Sequence, residues 1–334
     1  MDIVLALALL AVFLIVLALS SRLAITNVLK ISDVTGLKTT VGFFLLAFST
    51  SLPELSVAFI ASLGGRSELS VGNVIGSNIV NICLIIGLAT LLVSLKHSKS
   101  LNMVSSFAKE DLGSLYFGLF VASIIPMSLV YLIGANWLIG LILILIFVFY
   151  TFQSLIKIKI PSEDVIKAPL EMKKELRFYV ALTLLGAVGV VICVYFIVES
   201  AVFIAEFAGL PRNLVGATVT AFGTSLPKLF IDIRAFLKGH SALAFGDIIG
   251  SAFLNITLIL GITLIIPALL GSTLTMSMQV FQDLVIFSLI ANLFLWYFLS
   301  IGRLSWKEGA ILLFLYLLFL ATSLGAVQLH MQPT

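Results

Sequence analysis

The chain has 334 residues, of which 61% are hydrophobic and 10% charged, with a mean hydropathy of +1.22. A soluble domain carries about 25% charged residues, so the composition excludes a soluble enzyme or binding module and calls for a lipid bilayer as solvent. The pI near 8.8 and the formal charge of +3 would suit nucleic acid in a soluble protein; here the basic residues lie between apolar runs, where they set topology, and no nucleic-acid partner is expected.

Apolar runs of about 20 residues, rather than alternating segments of roughly ten, predict an all-α membrane protein and not a barrel. Ten spans are read in chain order: 3–20, 40–63, 70–94, 112–133, 136–156, 178–205, 213–236, 243–270, 280–300 and 307–327. The first is preceded only by Asp2 and has no small-residue cleavage site before Arg22, so it reads as a spanning helix and not a leader. Cys83 and Cys193 fall in separate spans and read as free core cysteines. Glu199, Glu206 and Asp283 sit near span ends, where a solvated role is expected.

The longest hydrophilic connection, 157–177, divides the chain into five spans and five: residues 1–156, a cytoplasmic linker, and residues 178–334. With the N-terminus outside, 15 lysines and arginines fall in cytoplasmic loops, and only Arg66 and Arg212 fall outside. That asymmetry predicts a multi-pass cell-membrane protein with both termini extracellular. An odd number of spans per half makes the second half enter from the opposite side, so matched segments of the two halves run antiparallel.

Such matched segments exist. Residues 49–87 reappear without a gap as residues 223–261, identical at 19 of the 39 positions. Around them the repeats extend over about 40–94 and 213–270. Each copy sets hydroxyl, amide and charged side chains within apolar surroundings, the pattern of a transporter whose site lies at the repeat interface. Pro53 and Pro227 fall inside spans, where proline removes a backbone hydrogen bond and loosens carbonyls around Ala47–Ser49 and Ala221–Gly223. Beside them stand Thr50 and Ser51, or Thr224 and Ser225. Carbonyl and hydroxyl oxygens with a carboxylate are hard ligands, suited to sodium and calcium. A packing kink with serines bonded back to the backbone is the structural alternative. In the second part of each copy, Gly72, Gly76, Gly246 and Gly250 form small faces for close helix approach. Ser77 and Asn81 share a helix face at i and i+4, as do Ser251 and Asn255.

With these motifs, T-S-L-P-E and G-N-V-I-G-S-N-I-V-N in the first half and T-S-L-P-K and G-D-I-I-G-S-A-F-L-N in the second, the chain resembles the cation/calcium exchanger superfamily over essentially its whole length. Lacking a large cytoplasmic domain, it is similar to the compact prokaryotic members. The resemblance implies an antiporter in which four helices, two per repeat, surround the ions while the first and sixth spans slide to alternate access. It implies ligands at the carbonyls of Ala47 and Ala221 and the side chains of Thr50, Ser51, Glu54, Ser77, Asn81, Thr224, Ser225, Ser251 and Asn255. Transported cations (sodium, calcium or protons) are substrates, and no cofactor is expected. There is no catalytic triad, H-E-x-x-H motif or phosphate loop, so no enzyme is expected, and His97, His240 and His330 have no partner at metal-ligand spacing.

One position departs from that family. Calcium-exchanging members usually have a central glutamate in each repeat, whereas the equivalent of Glu54 here is Lys228. A fixed ammonium at a cation site shifts its electrostatics by several kcal/mol or more. Three readings stand: the lysine replaces a bound ion, it exchanges a proton during the cycle, or the site has moved or changed substrate. Asp232, one turn beyond Lys228 where the first repeat has Ala58, and Asp247, where it has Asn73, are candidate accessory residues together with Asn73 itself. Asp232 is alternatively a partner for Lys228 or Arg234. A Glu54–Lys228 pair that locks the site would give a channel-like or non-transporting protein.

Overall fold

A computed structural model describes residues 2–35, 47–97, 101–102, 109–131, 137–156 and 170–331. Its helices, in chain order, are α1 (Ile3–Thr35), α2 (Leu52–Leu63), α3 (Ser67–Ile79), α4 (Gly87–His97), α5 (Lys109–Tyr131), α6 (Trp137–Ile156), α7 (Leu170–Phe207), α8 (Arg212–Val215), α9 (Ala221–Leu237), α10 (Ser241–Leu254), α11 (Leu260–Leu269), α12 (Met278–Ile301) and α13 (Trp306–Met331). Wider π-helical turns, Val80–Ile86, Gly216–Thr220 and Asn255–Ile259, join α3 to α4, α8 to α9 and α10 to α11 into continuous rods. Among the described residues the sole extended pairing is antiparallel, β1 (Leu101–Asn102) against β2 (Arg303–Leu304).

Seven of these rods are long and apolar enough to cross a membrane: Ile3–Asn27, Ser67–Leu95, Glu175–Phe207, Arg212–Leu237, Ser241–Leu269, Met278–Ile301 and Trp306–Ser323. Three shorter apolar helices, Leu52–Leu63, Leu115–Val130 and Trp137–Gln153, accompany them. The fold is therefore that of a multi-pass helical membrane protein. The start of the expected span 40–63 and most of the stretch 157–177 lie outside the described residues. Two helices overrun their apolar runs. α1 continues to Thr35, and α7 begins at Leu170, because Leu170–Leu176 are strong helix formers (Leu, Glu, Met, Lys) despite their polarity.

The repeated segments fold alike. α2 and α9 end in turns through Gly65 and Gly239, at φ +69° and +85°, a conformation that side chains with a Cβ resist. Each turn leads into an equivalent helix, α3 or α10, and each of those widens into a π turn that contains Asn81 or Asn255. π turns insert an extra residue into a helix and recur at functional sites.

Packing divides into two hydrophobic clusters. The larger fills the space among α3–α5 and α9–α13. The smaller joins α1 and α7 to α2, α3 and α8 through Leu10, Leu17, Val57, Ala61, Val194, Val198 and Ala201. α1 and α7 form a pair of their own, with Phe13 and Phe196 stacked at 4.3 Å. Gly186 lies so near α1 that a Cβ there would meet the Ala24 nitrogen at 2.6 Å. Their outward faces, with Val4, Leu7, Ile15, Leu184, Val188 and Ile192 exposed, suit lipid.

Candidate ion-binding site

Four helices, α2, α3, α9 and α10, pack around a polar centre in an otherwise apolar molecule. Close approach is what makes room for it. At Gly72, Gly76 and Gly216 an added Cβ would fall 1.9, 2.3 and 2.1 Å from the carbonyl oxygens of Asn213, Ala217 and Leu69, so α3 and the α8–π segment meet backbone to backbone. Thr50, Ser51, Glu54, Asn73, Ser77, Asn81, Thr224, Ser225, Lys228, Asp247, Ser251 and Asn255 are all fully buried in this packing, and Asp232 is 1% exposed.

The hydrogen bonds that hold the centre run between the copies. Thr50 Oγ1 donates to Asp247 Oδ1 at 2.7 Å, and its equivalent Thr224 Oγ1 donates to Asn73 Oδ1 at 3.1 Å. The Lys228 ammonium lies 3.4 Å from Ser51 Oγ and 3.9 Å from Glu54 Oε1, so the two residues at equivalent positions form an ion pair across the interface. Asn255 Nδ2 donates to Asn78 Oδ1 at 2.9 Å, and Ser70 and Thr263 share a hydrogen bond of 2.7 Å. Asn78 and the Ser70–Thr263 pair escape a sequence reading. Asn78 aligns with Ala252 in the other copy and lies off the face shared by Ser77 and Asn81, so neither symmetry nor i,i+4 spacing points to it.

The carbonyls of Ala47 and Ala221 are engaged, contrary to the expected loosening by proline. Ala47 O accepts the Ser51 amide at 3.1 Å and lies 3.2 Å from Thr50 Oγ1, and Ala221 O lies 3.3 Å from Thr224 Oγ1. Proline removes the bond to the residue four earlier, which is Ser49 or Gly223. Each carbonyl still has a second lone pair for a ligand.

Many polar atoms of the centre find no partner among the described residues. Both carboxylate oxygens of Glu54 lack a hydrogen bond, as do Ser77 Oγ, both amide atoms of Asn81, Ser225 Oγ, Ser251 Oγ and Asn255 Oδ1. Buried polar atoms are ordinarily satisfied, and leaving one bare costs about 1–3 kcal/mol. Oxygens concentrated in this way suit a hard cation.

Asp232 pairs with neither candidate. Arg234 is exposed, since positions two apart on a helix point to opposite sides, and the Lys228 ammonium comes within ion-pairing distance of Glu54 instead. Asp232 and Asp247 lie within hydrogen-bonding reach of each other. At one end of the bundle, Arg66 pairs with Glu199, while Arg212 bridges Glu68 at 2.8 Å and Glu206 at 2.5 Å. Glu199 and Glu206 thus have the solvated surroundings expected near span ends. Cys83 and Cys193 are free and buried. Among the described residues no group of three or more histidine, cysteine or acidic side chains has metal-binding geometry.

This arrangement has relatives. The fold matches a crystal structure of the H+/Ca2+ exchanger CAX with a TM-score of 0.77 at 17% identity, covering 96% of this chain and 82% of that one. It also matches the sodium-calcium exchanger NCX_Mj with a TM-score of 0.65 at 23% identity, covering 96% and 99%. In sequence it is 29% identical over 282 residues to an uncharacterised membrane protein of Methanocaldococcus jannaschii (84% of this chain, 85% of that one). It is 29% identical over 327 residues to the sodium/calcium exchanger MaX1 of Methanosarcina acetivorans (84% and 87%). The model of the family described as "Sodium/calcium exchanger protein" matches residues 5–156 and 178–325, both halves on either side of the linker. With both halves covered by the family model and the fold shared over 96% of the chain, these matches identify the chain as a membrane transporter belonging to the sodium/calcium exchanger protein family.

Proposed function

We propose that the chain is a secondary active cation antiporter of the sodium/calcium exchanger type, in which cations bind between the two repeats and are released alternately on either side of the membrane. One observation carries the reading. Fully buried side-chain oxygens from both copies converge at the packing of four helices, and many of them have no partner among the described residues. In this reading the ten apolar runs are ten spans, residues 1–156 and 178–334 are inverted five-span halves, 157–177 is a cytoplasmic linker, and both termini are external, as the basic residues require.

The ligands are the carbonyls of Ala47 and Ala221 and the side chains of Thr50, Ser51, Glu54, Ser77, Asn81, Thr224, Ser225, Ser251 and Asn255, with Asn73, Asp232 and Asp247 beside them. Sodium, calcium or protons are the substrates. MaX1 and NCX_Mj are named for sodium and calcium, and CAX for protons and calcium. Lys228 sets this chain apart from a plain copy of either repeat. Its ammonium neutralises Glu54 from within the protein and so alters selectivity or coupling. At 3.9 Å from Glu54, with a single hydrogen bond of 3.4 Å, the pair is loose and does not favour a locked site.

The test is counterflow in proteoliposomes. Sodium-loaded vesicles diluted into sodium-free buffer should take up radioactive calcium saturably, and uptake should cease when the sodium gradient is collapsed. Flux that ignores both sodium and proton gradients would indicate a channel. No flux from sodium- or proton-loaded vesicles would leave a non-transporting homologue.

A further inference from the structure

Where the first copy carries Glu54, Ala58 and Asn73, the second carries Lys228, Asp232 and Asp247. Three changes at one interface alter its charge in a particular way. Two identical copies would bring two glutamates together, an excess of two negative charges. In this chain three carboxylates and one ammonium leave the same excess, but it no longer lies at the centre. Glu54 faces Lys228 at 3.9 Å, and the remaining pair, Asp232 and Asp247, lies within the field of the same ammonium but forms no ion pair with it. Four residues separate Asp232 from Lys228 on α9, so the negative charge has moved about 6 Å along the helix, given a rise of 1.5 Å per residue.

That displaced pair is short of partners. Asp247 and Asp232 are 0% and 1% exposed. Asp247 Oδ1 accepts the Thr50 hydroxyl, but among the described residues no N–H or O–H donates to Asp247 Oδ2 or to either oxygen of Asp232. While both are ionised the two carboxylates are acceptors only, so neither satisfies the other, and two like charges side by side in a dry interior repel strongly; a shared proton or a bound cation relieves that repulsion. No arginine or lysine pairs with either among the described residues. Hard oxygen donors carrying two negative charges match one hard divalent cation, the chemistry of calcium.

Resting on the antiporter reading above, we propose that the chain binds a calcium-class divalent cation between Asp232 and Asp247, with Thr50 at its edge, one helical turn from the Glu54–Lys228 pair. Lys228 acts there as a built-in cation that holds Glu54 and, within the polar centre described above, leaves a divalent ion to the aspartates and Thr50.

The test uses the full chain purified in detergent. Calcium titration followed by thermal shift should show saturable stabilisation of the native protein. Asp232→Asn and Asp247→Asn should each weaken the apparent affinity at least tenfold. Asp283→Asn, which removes a carboxylate beside the unrelated small cavity lined by Leu214, Val280 and Phe287, should bind like the native protein. Because an asparagine variant that misfolds would imitate loss of binding, the ion is also located directly in native crystals soaked with strontium. Anomalous scattering between the two aspartates is expected. A peak beside Glu54 and Ser51, aspartate variants that titrate like the native chain, or a native protein that binds sodium or protons but no divalent ion would each overturn the assignment. Sodium- or proton-driven counterflow separates the two claims. If the native protein exchanges cations while both asparagine variants bind calcium normally, the aspartate site fails and the antiporter reading stands. If strontium lies between the aspartates but no coupled flux is found, the reverse holds.

Discussion

Thr50 and Thr224 occupy equivalent positions, yet their hydroxyls meet acceptors of different charge, the Asp247 carboxylate at 2.7 Å and the Asn73 amide at 3.1 Å. A hydrogen bond to a charged group contributes about 1.5–3 kcal/mol, and one between neutral groups about 0.5–1.5 kcal/mol. Valine nearly keeps the shape of threonine and removes the donor. Thr50→Val should therefore lower the unfolding midpoint more than Thr224→Val when the two are denatured side by side, and equal losses would refute the difference. The central pair permits a second comparison. Lys228→Met leaves a buried carboxylate without its counter-charge, at a cost of about 3–5 kcal/mol, whereas removing both charges of a buried pair is often close to neutral. Glu54→Gln/Lys228→Met should recover most of the stability lost in Lys228→Met, and a double variant no more stable than the single one would mean that the two groups do not interact. Most of these side chains are legible in the sequence, because a single offset of 174 aligns the polar positions of the copies. Their partners are not. Spacing along one helix says nothing about which residue of another helix lies opposite, and so Asp232 turns out to lie against Asp247 and to form no ion pair with Lys228 or Arg234.

The helices owe their closeness to glycines that the repeat shares but uses unequally. At Gly76 a Cβ would lie 2.3 Å from the Ala217 carbonyl oxygen, which is backbone and has nowhere to go. At the equivalent Gly250 the nearest neighbour is the Ala47 Cβ at 3.3 Å, a contact that a shift of a few tenths of an ångström relieves. Gly76→Ala is therefore expected to push α3 off the segment before α9, lower thermal stability and abolish counterflow, whereas Gly250→Ala should retain flux within about twofold, since overpacking costs about 1–3 kcal/mol only where neighbours resist. Equal effects in stability and flux assays would show that the two crossings are equally tight. The reading of a small-residue face carries over to the structure at Gly72 and Gly76, and so do the apolar helices and the internal repeat. What the sequence conceals at this scale is the π turns, since a widened turn needs no distinctive residue and leaves the hydrophobic pattern nearly unchanged. Helix ends are hidden for a related reason. Polar extensions such as Leu170–Leu176 belong to a helix by propensity, and a hydropathy window stops short of them.

At the scale of the molecule, α1 and α7 pack on the outside of the site, which α1 reaches through Leu14 against Gly223, beside Thr224. They pack closely on each other, and their contact with the rest runs over short aliphatic side chains, Val57 and Ala61 on α2 against Val194, Val198 and Ala201 on α7. Such a surface has no hydrogen bond to break when one side moves along the other, which is what alternating access by a sliding pair requires. At one end the pair is nevertheless tied to the bundle: Arg66, in the turn after α2, binds Glu199 of α7, and Arg212 binds Glu206. Both carboxylates are well exposed, and exposed ion pairs contribute about 0.2–1 kcal/mol, enough to bias a position but not to prevent movement. Replacing that weak link by a covalent one tests the motion. Cys83 and Cys193 are both free, so they would first be exchanged for alanine. In that background Arg66→Cys/Glu199→Cys, joined by a short cleavable cross-linker, should lose counterflow while keeping calcium-dependent thermal stabilisation, and cleavage should restore flux. If the cross-linked protein still exchanges cations at the uncross-linked rate, α7 does not move against α2 during transport. If it loses binding as well as flux, the link distorts the site itself, and access would then depend on the four central helices.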